Sequence, residues 1–322
     1  MPDFSSNEFS AHLHAAQKAA KLAGTLLMEK MGSAQVWEKG PGDWVTAADF
    51  AAQELIKQAL ANEFPRIEFL GEEDSQTKGN GCPGLKAAGK EQDVGNCQSM
   101  GTSVSLSDSI QVLSGNSSHL DHASQLGQLS WIVDPLDGTV NFIHQLPSFS
   151  VSIGLVESSA SCAPVSPEQI LVGVVYDPML DECFTAVKQQ GATLNGNPIH
   201  ASGCSTLETA LTVFSIGRKS SVDDGDIRRM LNVMQSPASL RRLGSAALNL
   251  SYVAAGRIDA YWASNLKPWD IAAGWLIAKE AGGMLRGLEQ RPLDVMNPNF
   301  CCAATWELWN QLSPLLDVSE TE

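Results

Sequence analysis

Trp131-Ile132-Val133-Asp134-Pro135-Leu136-Asp137-Gly138-Thr139 is the stretch that decides how this chain is read. An apolar run fit for a buried strand ends in two carboxylates three residues apart. Pro135 fixes the backbone between them and removes a donor. Gly138 permits a sharp turn into a helix opened by Thr139-Val140-Asn141-Phe142. Asp134 and Asp137 are therefore expected to converge on one side of the turn. Hard oxygen ligands of this kind suit Mg²⁺ or Mn²⁺ rather than zinc. The N–H groups of Gly138 and Thr139, at a helix start, point where a phosphate oxygen would lie. A capping aspartate at a strand–helix junction is the plain alternative for either carboxylate alone. The buried strand and the Gly-Thr pair together make the motif specific.

Working outward, Glu8 to Met31 reads as a helix. Phe9, Leu13, Ala16, Ala20, Ala23 and Leu27 recur at helical spacing, with Gly32 as the stop. The turn Lys39-Gly40-Pro41-Gly42 leads to a second helix from Thr46 or Asp49 to Phe64, which Pro65 ends. Ile67–Leu70 is a short strand delivering Gly71-Glu72-Glu73-Asp74. Beyond the central motif, strands are expected at 149–156, 171–176 and 182–187, with a turn at Asn195-Gly196-Asn197-Pro198. The second half alternates strands at 210–216, 240–243 and 258–262 with helices at 224–234, 245–255 and 269–281. Interleaving of this kind argues for an α/β layered sandwich. Two subdomains are expected, 7–200 and 201–316.

Residues 75–128 differ from their surroundings. Ser and Gly fill 18 of the 54 positions and no Phe, Trp or Tyr occurs. Such a stretch cannot nucleate a core, so a solvated insertion is expected. His119, Asp121 and His122 within it suggest a metal site only weakly, ordinary polar loop residues being the simpler reading.

Composition narrows the class. At 43% hydrophobic and 18% charged, the chain is neither wholly disordered nor a coiled coil. No apolar run approaches the ~20 residues that span a bilayer, so no membrane partner is expected. The early acidic residues Asp3 and Glu8 lack the layout of a secretory signal. Seven cysteines, an odd number without a CxxC pair, fit reduced thiols in a cytoplasm. The net charge of −15 and basic runs no longer than Arg228-Arg229 and Arg241-Arg242 argue against nucleic acid. An acidic protein can still bind an anion where metal ions stand between them.

Motifs in a set order make the chain recognisable. Asp134-Pro135-Leu136-Asp137-Gly138-Thr139, with Gly71-Glu72-Glu73 upstream and Trp269-Asp270-Ile271-Ala272-Ala273-Gly274 downstream, resembles the inositol monophosphatase family. Asp43-Trp44-Val45-Thr46-Ala47-Ala48-Asp49 and Gly282-Gly283 match further landmarks. The likeness runs from the first helix to about Trp309, the 75–128 insertion excepted. It implies an αβαβα sandwich and a magnesium-dependent, lithium-sensitive phosphatase using two to three Mg²⁺ ions, with Mn²⁺ as a substitute, and a homodimer is the expected assembly. By this resemblance Glu72, Asp134 and the Leu136 carbonyl are ligands of one ion, and Asp134 bridges to a second held by Asp137 and Asp270. Thr139, hydrogen-bonded towards Asp49, activates water together with Glu72. Asp137, Gly138, Thr139, Ala246 and Asp270 are expected to face the substrate, while Glu73 and Asp74 flank the ligands.

The substrate expected from this likeness is a small phosphorylated polyol or sugar, inositol 1-phosphate first. Bisphosphate nucleotides, fructose 1,6-bisphosphate and histidinol phosphate are the alternatives, and a non-catalytic binding protein of the same fold is a second. Family members with strong inositol preference carry an acid seven positions before the Trp-Asp carboxylate. Here Ala263 stands there, which weakens the case for strict inositol specificity. Ala246 reads equally as pocket lining or core packing. Lys267 reads either as approaching a substrate phosphate or as a solvated loop residue.

Overall fold

An alanine-rich helix opens the fold. The computed structural model describes residues 9–40, 42–76, 86–87, 128–158, 165–216 and 224–318. Helix α1 (Ser10–Lys30) buries Ala15, Ala16, Ala19, Ala20, Ala23 and Leu27 along one stripe. Strands β1 (Val36–Gly40) and β2 (Asp43–Thr46) form an antiparallel pair. Helix α2 (Ala47–Glu63) then lies against α1, the small side chains of both allowing close approach. Strand β3 (Glu68–Gly71) is followed by β4 (Lys86–Ala87), which pairs with β1. The rest of the expected 75–128 insertion lies almost wholly outside the described residues, the His119–His122 group included.

Strand β5 (Gln128–Asp137) is the axis of the first sheet. Helix α3 (Thr139–Ile143) follows, then β6 (Ser150–Ser158), β7 (Ile170–Asp177), β8 (Glu182–Val187), β9 (Ala192–Leu194) and β10 (Asn197–Ile199). The sheet order is β10-β9-β8-β7-β6-β5-β3, antiparallel except for the parallel β3–β5 pair. The second half supplies β11 (Leu211–Ser215), α4 (Gly225–Met234), β12 (Ser239–Arg241), α5 (Ala246–Ala254), β13 (Ala260–Ala263), α6 (Pro268–Glu280), β14 (Met284–Gly287), β15 (Phe300–Ala303) and α7 (Trp306–Leu316). Its sheet runs β12-β11-β13-β15-β14, with the first three strands parallel.

Strand alternation sorts the side chains into layers. Trp131 and Val133 of β5 pack under α1 and α2, whereas Ile132 faces the opposite way, toward α5 and α6. Tyr261 and Ala263 of β13 point into that same α5/α6 layer, and Ala260 and Trp262 point outward to α4 and α7. The result is helix, sheet, helix, sheet, helix, the five-layer αβαβα sandwich expected. Each fully buried large aliphatic side chain contributes ~1.5–3 kcal/mol of transfer free energy, and two of the three apolar clusters share one sheet.

The expected elements are present with ends shifted by at most four residues. Asn195-Gly196 is more than a closing turn: with φ of +49° and +80° it joins β9 to β10 as a tight hairpin. Strands β1, β2, β4, β9, β10, β14 and β15 and helix α7 had no expectation. Four cysteines, Cys183, Cys204, Cys301 and Cys302, are free thiols, and the other three lie outside the described residues.

Gly173 of β7 lets α6 rest directly on the sheet. A Cβ there would stand 2.6 Å from the Ala273 carbonyl oxygen and 3.2 Å from the Ala273 Cα. Backbone of a buried helix cannot rotate away as a side-chain tip can. Gly173→Ala should therefore destabilise by about 1–3 kcal/mol. Thermal melting would show a Tm lowered by several degrees; an unchanged Tm would mean that the two layers have slack.

Candidate active site

The central motif folds as an interruption of β5. Asp134 pairs with Ser152 and Asp137 with Ser150, so three residues of β5 span two of β6. This bulge falls at Pro135-Leu136, where the missing proline N–H would break the ladder in any case. Asp134 and Asp137 both end buried. The Leu136 amide donates back to Asp134 Oδ1 at 3.0 Å. Gly138 takes φ +92°, and a Cβ there would stand 2.8 Å from the Ser148 carbonyl oxygen.

The second half of the chain holds the remaining side of the site. Asp137 Oδ2 accepts from Ser245 Oγ at 2.5 Å and from Ala247 N at 2.8 Å, which places it on the N-terminus of α5. Asp270, in the first turn of α6, accepts from Lys267 N at 2.8 Å. Carboxylate oxygens of Asp134, Asp137 and Asp270 all lie within 4.8 Å of one another. Helix N-termini are where negative charge is best tolerated, and the fold spends two of them here.

Burial outweighs that help. It pushes Asp137 up to about 6 against the hydrogen bonds from Ser245 and the α5 amides. Burial and the neighbouring Asp137 push Asp270 to about 8. Asp134 is raised well above the carboxylate range by burial, then by Glu72, Asp137 and Asp270. Like charges gathered in a poorly solvated pocket oppose their own ionisation. A divalent cation removes that conflict, and an all-oxygen donor set without His or Cys fits Mg²⁺ or Mn²⁺.

Glu72 follows β3, its amide donating to the Val133 carbonyl at 3.1 Å and so extending the β3–β5 pairing. It lines the same cleft, but is not one of the three clustered carboxylates. Lys39, from β1, reaches Glu72 Oε1 at 3.1 Å and Glu73 Oε1 at 2.6 Å. Burial works against the Lys39 charge, yet the two glutamates outweigh it and hold the ammonium charged. Glu73 is raised to about 7 by burial and Glu72. Lys39 is a residue that sequence reading placed only in a turn; no periodicity marks a contact across 33 positions.

Asp49 is buried at the start of α2. Its Oδ2 accepts from Thr46 N at 2.9 Å and Thr46 Oγ1 at 2.6 Å, a capping arrangement that aims the other oxygen inward. Thr139 Oγ1 lies 3.3 Å from Asp49 Oδ1 and 3.1 Å from the Leu136 carbonyl. Burial raises Asp49 to about 7 despite its bonds from Thr46. Ala246 both lines the cleft and belongs to the α5/α6 core, so its two readings coincide. Ala263 is fully buried in that core. The cleft, about 600 Å³, is lined by Glu72, Asp134, Leu136, Asp137, Thr139 and Asp270 from the expected set, Gly138 included. Lys267 lines it too, as do Arg242 and Ser215, to which sequence reading gave no separate role.

A model of the inositol monophosphatase family matches residues 10–319. An inositol-1-monophosphatase of Mesorhizobium japonicum is 34% identical over 284 residues, 87% of this chain and 86% of that protein. A protein named Nus factor SuhB of Pseudomonas aeruginosa is 35% identical over 282 residues, 85% of this chain and 84% of that protein. Among solved structures, the extragenic suppressor protein suhB of Bartonella henselae superposes with a TM-score of 0.72 at 31% identity, covering 97% of this chain and all of that one. The inositol monophosphatase of Anabaena gives 0.69 at 27% identity, covering 96% of each chain.

The raised carboxylates have a consequence for stability. A carboxyl whose folded pKa lies above its unfolded value stabilises the fold fully below the unfolded pKa. That contribution is lost as pH rises through the folded value. Asp137, Asp49, Glu73 and Asp270, at about 6, 7, 7 and 8, set the window. Protein stripped of metal with EDTA should therefore show a falling Tm between about pH 5 and about pH 9, a fall that Mg²⁺ reduces. A Tm that stays flat or climbs over that range would contradict the electrostatic picture.

Proposed function

The chain belongs to the inositol monophosphatase family, and from that premise we propose that it is a phosphoric monoester hydrolase dependent on magnesium. The observation that carries this reading is the meeting of Asp134, Asp137 and Asp270 within 4.8 Å, beside Thr139 and its bond to buried Asp49. Glu72, Asp134, the Leu136 carbonyl, Asp137 and Asp270 are the groups that would hold two to three Mg²⁺ ions, or Mn²⁺. Magnesium, when bound, supplies positive field for a phosphate anion and makes a water acidic enough to attack it.

The chain's own residues do the rest. Thr139 Oγ1 donates toward Asp49 Oδ1 or the Leu136 carbonyl, so its lone pairs can accept a proton from the attacking water. Asp49, raised above the ordinary carboxylate range by burial, stands within reach of the Thr139 hydroxyl and takes its proton in turn. Glu72, one oxygen fixed by Lys39, orients the same water. The N–H groups of Gly138 and Thr139 face the phosphate, and Ala246 bounds the space for the alcohol. In this proposal residues 7–200 form a metal-binding subdomain and 201–316 an α/β subdomain that closes the cleft.

Inositol 1-phosphate is the first substrate to test, followed by fructose 1,6-bisphosphate, a nucleoside 3′,5′-bisphosphate and histidinol phosphate. Lithium sensitivity, a dimer and a cytoplasmic setting belong to the same reading; among the described residues no helix is long and apolar enough to cross a membrane. Relatives named Nus factor SuhB are as similar as those named phosphatases, which gives a non-catalytic binding role its footing. The intact carboxylate set favours catalysis.

Asp134→Asn separates the two. A carboxylate that would hold the metal would be lost while the fold stays intact, so kcat/KM should drop at least about a thousandfold, ~4 kcal/mol of transition-state stabilisation. Phosphate release with Mg²⁺, with EDTA as control, reads the effect. Near-normal turnover in the folded variant would refute the assignment, and wild-type protein inert on the whole panel would favour the binding role.

A further inference from the structure

Part of the cleft lining comes from the carboxyl ends of the second sheet, and its chemistry differs from that of the carboxylate cluster. Strands β11, β12 and β13 are parallel, and Ser215, Arg242 and Ser264 stand at or just beyond their carboxyl ends. The chain leaves β11 through α4 toward β12 on one side, and leaves β13 through α6 toward β14 on the other. Adjacent strands that send their connections in opposite directions open a crevice at their carboxyl ends, where ligands of such sheets bind.

The groups lining that crevice are mostly donors. Arg242 and Lys267 are exposed at the cleft, and among the described residues neither side chain is paired with a carboxylate. Ser215 Oγ accepts from the buried Tyr261 hydroxyl at 2.9 Å, which leaves its own proton to donate. Ser264 Oγ is turned away, donating to Asp226. The acid on this wall, Asp224, caps α4 and accepts from Asp226 N at 3.0 Å, so the helix meets its charge. Ala263, buried in the core, brings nothing polar.

We infer that this wall, through Arg242, Lys267 and Ser215, binds a second anionic group on the substrate, so that the preferred esters are small phosphate monoesters bearing a further carboxylate or phosphate. The inference rests on the hydrolase reading above and narrows its substrate class. A guanidinium and an ammonium lining one cleft suit a carboxylate or phosphate, both of which accept charge-assisted hydrogen bonds. Hydroxyl groups of a neutral polyol gain far less from unpaired cations.

Matched pairs of esters test it, assayed with Mg²⁺. Glycerol 2-phosphate against 2-phosphoglycerate reads the carboxylate arm, and inositol 1-phosphate against inositol 1,4-bisphosphate reads the phosphate arm. The second anion should lower KM by about tenfold or more in at least one arm, with kcat little changed, and added salt should shrink the advantage. The arm that responds identifies the group recognised. In the Arg242→Gln/Lys267→Gln double variant the KM ratio should fall to about one, and Arg242→Lys should restore part of it. Equal KM values in both arms, or a preference that survives the double variant, would overturn the inference while leaving the hydrolase reading intact. If no ester is cleaved, the hydrolase reading fails instead. The same pairs titrated into Mg²⁺-loaded protein then decide the preference by their ratio of dissociation constants.

Discussion

Three carboxylates that repel one another are held within 4.8 Å of each other, two of them buried, and everything else in the molecule is arranged to permit it. A cluster of this kind in a poorly solvated pocket is unfavourable unless protons or cations neutralise it. The chain reduces the conflict with backbone. The bulge in β5 gives Asp134 an amide from Leu136. The α5 N-terminus gives Asp137 an amide and a hydroxyl, and the turn before α6 gives Asp270 the Lys267 amide. These bonds lower each pKa without returning it to the ordinary range. The residual conflict is what a bound divalent cation would relieve.

The five-layer architecture follows from where these supports come from. Asp134 and Asp137 end a strand of the first sheet, while the helices that brace them, α5 and α6, belong to the second half of the chain. Those helices form the middle layer and carry apolar side chains toward both sheets. Gly173 and Gly154, against Ala273 and Ala272, let α6 lie close enough to the first sheet to bring Asp270 to the cluster. Packing and the carboxylate cluster thus draw on the same contact between α6 and the sheet.

Much of this was legible in the sequence because it is local. The apolar run before Asp134, the proline within the pair and the glycine after it specify strand and turn in nine consecutive residues, while the bulge shows only in the pairing with β6. Thr46 and Asp49, three apart at a helix start, carry their cap in the same way. What stayed hidden depends on contacts between distant segments. Lys39 meets Glu72 across 33 positions and Ser245 meets Asp137 across 108, and neither leaves a periodic trace. Strand β1 escaped because its last residues, Lys39 and Gly40, read as part of the turn Lys39-Gly40-Pro41-Gly42 until β2 pairs with it. The β9–β10 hairpin escaped because three-residue strands give alternation too little length. Position 263 was legible as a missing acid. The cations on the facing wall became meaningful only once three strand ends were seen together.

Calorimetric titration of Mg²⁺ into metal-free protein near neutral pH, in two buffers of different ionisation enthalpy, tests the central claim most directly. Protons held by the raised carboxyls must leave as the cation enters. The account predicts saturable binding with net proton release, larger at slightly acid pH than at alkaline pH, and lost in large part when Asp134 is replaced by Asn. Binding without any exchange of protons, or no binding at all, would contradict it.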